Sequence, residues 1–186
     1  MVTKLVIKLS LIFLSWSYSD KVIIWRRNFE KYYNESPIWV VLDLASIGKL
    51  RFFVNYLVVK YPTNNYLKLI NNNIRYVSDI RNSCAHNKPI LLNLQKTSRI
   101  YKPVFTNAQR MGLKKEEIKN LKVAKIFSVF ELYRIMCSQG MNYHRYQEFS
   151  IYLDRVEQTI ALHEQNNDIK RFFSSLRKIL DEFKSE

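Results

Sequence analysis

Three glycines and four prolines in 186 residues leave this chain little with which to build tight turns. Sandwiches and barrels of short strands reverse direction every few residues, and those reversals draw on the backbone angles that glycine and proline supply. Helices need far fewer such points. The constraint predicts an all-α fold, and a hydrophobic fraction of 47% supplies the apolar surface for one domain, with or without a helical extension.

The breakers that do occur divide the chain. Ser36-Pro37 starts a helix, because serine can cap and proline is tolerated at the first helical position; Ile38, Val41, Leu42 and Ala45 follow at helical spacing. Gly48 is expected to end or kink that helix, with residues 50–59 continuing as a second. Tyr61-Pro62 breaks it. Thr63 or Asn64 caps the next helix, in which Ile70, Ile74, Val77, Ile80 and Cys84 form an apolar stripe. Pro89 limits this helix and leaves His86 in its last turn. Residues 91–112 are basic, polar and poorly periodic, which predicts a loop. Helical patterns return over 114–137, 143–163 and 168–183, with joints at Gly140 and Asn166-Asn167.

Near the start, residues 5–25 read as a buried helix within an N-terminal segment of about 30 residues. The apolar run from Leu9 to Trp16 is shorter than the ~20 residues that span a bilayer. A secretory signal is the alternative, but no Ala-x-Ala site follows. Cys84 and Cys137 form no CxxC and cannot make a disulfide framework, so reduced thiols in a cytoplasmic protein are expected.

Charge is distributed unevenly. Residues 1–43 carry six Lys/Arg against four Asp/Glu, and residues 116–186 carry eleven of each. Residues 44–115 carry thirteen basic side chains and one acidic, Asp79, a net +12 of the chain's +14. A polyanion such as a nucleic acid is the partner this pattern suggests; a solubilising surface is one alternative, and an acidic membrane surface is another, for which no obvious amphipathic anchor is present.

Within that basic third lies Arg81-Asn82-Ser83-Cys84-Ala85-His86, an Arg-x4-His arrangement near a helix end. At about 100° per residue, Asn82 and His86 fall on one face a turn apart, and Arg81 falls near the stripe of Val77 and Cys84. An arginine there needs a partner, because an unpaired buried charge is costly; Asp43 and Asp79 are candidates. From the residues alone, His86 also fits a helix C-terminal cap, Asn82 a surface or capping residue and Cys84 plain core. His144 and His163 have no companions at a metal-ligand or nucleophile spacing. Arg51-Phe52-Phe53 and Arg171-Phe172-Phe173 combine cation and aromatic as base-stacking surfaces do, although paired phenylalanines in a helix more often pack in a core.

Three blocks occur in order: Tyr32-Tyr33 before Ser36-Pro37-Ile38-Trp39, then Ser46-Ile47-Gly48-Lys49-Leu50, then Ile80 to His86 with Asn93 beyond. With these blocks, residues 29–93 resemble the abortive-infection D/F family, part of the HEPN superfamily of helical ribonucleases. Asn87 stands where that family often has a second histidine. The resemblance implies a HEPN-like helical bundle over residues 31–186 with additional C-terminal helices, and residues 1–30 as a truncated or divergent family segment. It also implies an endoribonuclease that uses no metal or cofactor and leaves 2′,3′-cyclic phosphate and 5′-OH ends. Such a protein acts as a toxin in phage defence, is held in check by a small RNA antitoxin, and works as a homodimer that pools two Arg-x4-His motifs. His86 is then the acid/base, Arg81 the phosphate clamp, and Asn82 the residue that orients His86 or the phosphate. Lys88, Lys96, Arg99 and Lys102 are the expected RNA contacts. The alternative is a scaffold that binds RNA without cutting it.

Overall fold

The computed structural model describes residues 46–161 and 167–184. Among them seven helices occur: α1 (Ile47–Lys60), α2 (Asn65–Ala85), α3 (Lys102–Arg110), α4 (Lys115–Ile118), α5 (Leu121–Met136), α6 (Gln139–Ala161) and α7 (Asn167–Lys184). No strand forms in these residues; one isolated bridge pairs Thr97 with Asn120. The all-α expectation is met. The expected helices over residues 5–25 and from Ser36-Pro37, and the boundary near residue 30, lie outside the described residues.

The caps explain where the first two helices begin. Ser46 accepts the Lys49 amide at 3.3 Å and starts α1. Gly48 therefore sits in the first turn of α1 and does not end a helix. Asn64 accepts the Leu67 amide at 3.0 Å and starts α2, one of the two caps the sequence offers. Each such side chain satisfies a backbone donor that has no partner within the helix, worth about 1 kcal/mol.

Three further expectations are corrected. The loop over residues 91–112 ends at Tyr101, because α3 occupies Lys102–Arg110 and buries Val104 and Ala108 completely. The helix over 114–137 is two helices, α4 and α5, separated at Lys119 and Asn120. Asn120 causes the break: its Oδ1 accepts the amides of Lys122 at 2.9 Å and Val123 at 3.4 Å, so it caps α5 and does not continue α4. The joint expected at Gly140 falls inside the first turn of α6.

α5 is the central element and packs against α2, α3, α4, α6 and α7. Val123, Ala124, Ile126, Phe127, Ser128, Glu131 and Leu132 are buried around much of its circumference, as a helix enclosed by neighbours requires. The main core joins Tyr76, Ile80 and Cys84 of α2 to Val104 of α3, Ile126 and Phe127 of α5, and Phe172, Phe173, Ile179 and Leu180 of α7. A smaller core joins Val54 of α1 to Ile74 and Val77 of α2 and Leu132 of α5. Polar ties close the C-terminal side. Arg177 of α7 bridges Asp154 at 2.5 Å and Glu157 at 3.1 Å on α6, and Lys178 reaches Glu117 of α4 at 2.6 Å.

Candidate functional site

The Arg-x4-His segment closes α2. His86 is the C-cap residue and its amide donates to Asn82 O at 3.0 Å. Beyond it Asn87 takes φ +49°, the left-handed region. The Asn87 amide donates to Cys84 O at 3.1 Å and the Lys88 amide to Ser83 O at 2.8 Å. This pair of bonds is the Schellman arrangement that ends a helix at a left-handed residue. Asparagine tolerates that conformation, so Asn87 has a structural reason to stand there. The termination leaves His86 and Lys88 exposed.

Arg81 is half-buried, and its Nη1 donates to Asn82 Oδ1 at 3.2 Å. The expected carboxylate partner is not Asp79, which pairs with Lys125 of α5 at 3.1 Å; Asp43 lies outside the described residues. Among those residues Arg81 forms no ion pair, and its one side-chain hydrogen bond there is to Asn82. Asn82 thus holds Arg81, and no hydrogen bond among the described residues links it to the His86 imidazole. Cys84 is core, 4% exposed, and burial pushes its thiol pKa up, which keeps it from acting as a nucleophile.

The segment after α2 is fixed to α5 by several ties. Ile90 and Leu94 bury their side chains in the main core. Asn120 Nδ2 donates to Leu94 O at 2.5 Å, the Ser98 amide donates to Lys119 O at 2.9 Å, and Lys122 Nζ donates to Leu92 O. Burial, and then Lys125 beside it, hold the Lys122 ammonium below the ordinary lysine pKa. Asn93 takes φ +53°, a second left-handed turn filled by asparagine. Tyr76 on α2 accepts the Tyr101 amide at 3.0 Å and pins the start of α3.

This frame presents Lys96, Arg99 and Lys102 to solvent, as it does Lys88. None of the four forms an ion pair among the described residues. Asp79, the lone acid of residues 44–115, is neutralised by a lysine from outside that stretch, so the basic third keeps its excess. On α1, Phe52 (75% exposed), Tyr56 and Val59 form an exposed stripe at helical spacing beside Arg51, Lys49 and Lys60. Phe52 is therefore not core, whereas Phe172 and Phe173 are. Sequence reasoning also missed Asn120 and Lys122, whose partners lie 26 and 30 residues away. His144 is exposed; His163 lies outside the described residues. Among the described residues no group of three or more His, Cys, Asp or Glu is placed to hold a metal, and no helix is long and apolar enough to cross a membrane.

Fold and site together define a class: an all-helical protein that carries an Arg-x4-His segment at an exposed helix end, next to a basic surface. Over residues 13–93 the chain is similar to the Abi-like protein family. The match covers less than half of the chain and reaches back beyond residue 29, into the segment expected to diverge. It ends at Asn93, so Lys96, Arg99 and Lys102 lie outside it. No curated protein and no solved structure matches the chain.

Proposed function

We propose that this protein is a HEPN-type endoribonuclease of abortive-infection phage defence, of the D/F kind. The observation that carries the reading is the end of α2, where Asn82 holds the Arg81 guanidinium, no carboxylate neutralises it among the described residues, and His86 stands exposed on the cap. Cleavage needs a group that removes the proton from a ribose 2′-OH as it attacks the adjacent phosphate, a group that protonates the departing 5′ oxygen, and a cation for the charge that builds on the phosphorane. Imidazole suits the proton transfers near neutral pH, and the planar guanidinium suits phosphate oxygens. One motif supplies one histidine. A homodimer with two α2 ends facing one phosphate supplies separate base and acid.

The exposed cations Lys88, Lys96, Arg99 and Lys102 then track the RNA backbone, and Phe52 and Tyr56 of α1 offer rings for unpaired bases. A small RNA is the inhibitor class that fits such a surface. The test is cleavage of single-stranded RNA by purified protein in EDTA. Wild type should leave 2′,3′-cyclic phosphate and 5′-OH ends and spare DNA, and His86→Ala should be slower by about 10² to 10⁴-fold with RNA affinity nearly kept. An active His86→Ala protein, or activity that appears only with Mg²⁺, overturns the assignment in favour of RNA binding without cleavage.

A further inference from the structure

A concave site lies among the C-terminal helices. α5, α6 and α7 enclose a cavity of about 500 Å³, with Ile80 of α2 contributing to its wall. That volume falls within the ~300 to 1,000 Å³ of small-molecule sites. Its apolar wall is largely aromatic. The Phe130 ring lies 5.3 Å from Phe149, edge to face, and 5.3 Å from Phe183, with Tyr143 and Tyr146 alongside. Ring edges and faces arranged in this way favour a flat guest that can stack or receive an edge.

The charged part of the lining has one sign, beside the neutral Gln139 and Asn142. Arg134, Arg145 and Lys184 line the cavity, and no carboxylate among the described residues does. Arg145 is held in place by Glu148 at 2.6 Å and by the Tyr133 hydroxyl at 3.2 Å, and Arg134 lies 3.6 Å from Glu131. Lys184 forms no ion pair among the described residues; its ammonium sits 5.7 Å from the centre of the Tyr146 ring, on the exposed side. From this combination we infer that the α5–α6–α7 cavity binds a small planar aromatic anion, with the ring system among Phe130, Phe149 and Phe183 and the anionic group at Lys184. The site is independent of the ribonuclease reading.

The test uses the full chain and 2-naphthoate as probe, with 2-naphthamide as its neutral counterpart, measured by calorimetry. The expected result is saturable 1:1 binding of 2-naphthoate with a dissociation constant below about 1 mM. Lys184→Gln, on the surface and away from the core, should weaken 2-naphthoate about 5- to 10-fold, as loss of an exposed charge-assisted contact does, and leave 2-naphthamide unchanged. Val129→Trp should fill the cavity and abolish binding of both, with circular dichroism checking that it folds. Absence of saturable binding by the wild type, equal loss of both probes in Lys184→Gln, or undiminished binding in a folded Val129→Trp would each overturn the proposal.

Discussion

Asn120 joins two jobs in one side chain, and replacing it separates them. Its Oδ1 caps α5 and its Nδ2 holds the carbonyl of Leu94, which fixes the segment carrying Lys96 and Arg99. Asn120→Ala removes both. Loss of the cap costs about 1 kcal/mol, and loss of a half-buried hydrogen bond costs about 1 kcal/mol more. For a chain of this size, ~2 kcal/mol lowers the melting temperature by about 4 to 8 °C. Asn120→Asp keeps an excellent cap but cannot donate to Leu94 O, so its fall should be about half as large.

A second readout is local. Lys96 and Arg99 are exposed trypsin sites in a segment held by the ties from Asn120, Lys119 and Lys122. Weakening the hold by ~1 kcal/mol should raise the open population, and with it the native-state cleavage rate, about fivefold in both variants. A melting temperature within about 1 °C of wild type for Asn120→Ala would refute the accounting. Equal shifts for the Ala and Asp variants would show that the cap contributes nothing.

Charge reversal of Lys96, Arg99 and Lys102 should weaken RNA binding across sequences and reduce the salt slope of the affinity by about 2 to 3; an unchanged slope counts against these contacts. Asn87→Val places a β-branched residue at φ +49° and should cost about 1 to 2 kcal/mol in thermal unfolding, whereas Asn87→Gly should not lower stability. Sedimentation of the full chain at micromolar concentration with RNA should show a homodimer, and a monomer would contradict the composite site.

The parts of the fold that sequence made legible are those whose signals are local. α2 has an apolar stripe, a cap at Asn64 and Pro89 beyond its end, all within reach of periodicity and capping rules. α3 was hidden because Val104 and Ala108 are its buried residues and Lys102 and Arg110 bound it. Its signals were present: Pro103 stands just inside the start, and Gly112 just past the end at φ +79°, the asymmetry helices prefer. The α4–α5 break carries one local signal, Asn120 as a cap residue, inside a pattern that otherwise reads as one helix. Neither Gly nor Pro marks it, and Asn120 acts partly through Leu94, far away in sequence. In the candidate site, the positions of Arg81, Asn82 and His86 on α2 followed from spacing, but the partner of Arg81 did not. Asp79, two residues from Arg81, is taken by Lys125, a choice made by the packing of α2 on α5.

The placement of the site follows from how α2 is buried. Ile74 and Val77 enter the small core with α1 and α5, while Tyr76, Ile80 and Cys84 enter the main core with α3, α5 and α7. A helix held by two cores along adjacent faces can neither roll nor slide without exposing one of them, and each buried aliphatic side chain contributes about 1.5 to 3 kcal/mol against that. Arg81, Asn82 and His86 occupy positions between and beyond those anchors, on the last turn. They therefore gain a fixed frame while Arg81 is only half-buried and Asn82 and His86 stay exposed. The Schellman closure at Asn87 then turns the chain away, leaving the histidine ring and the cations after it on the surface. An exposed histidine in a loop would have to be ordered by its substrate at an entropic cost. Here the backbone that carries it is already ordered, because α2 is pinned on both sides up to Cys84.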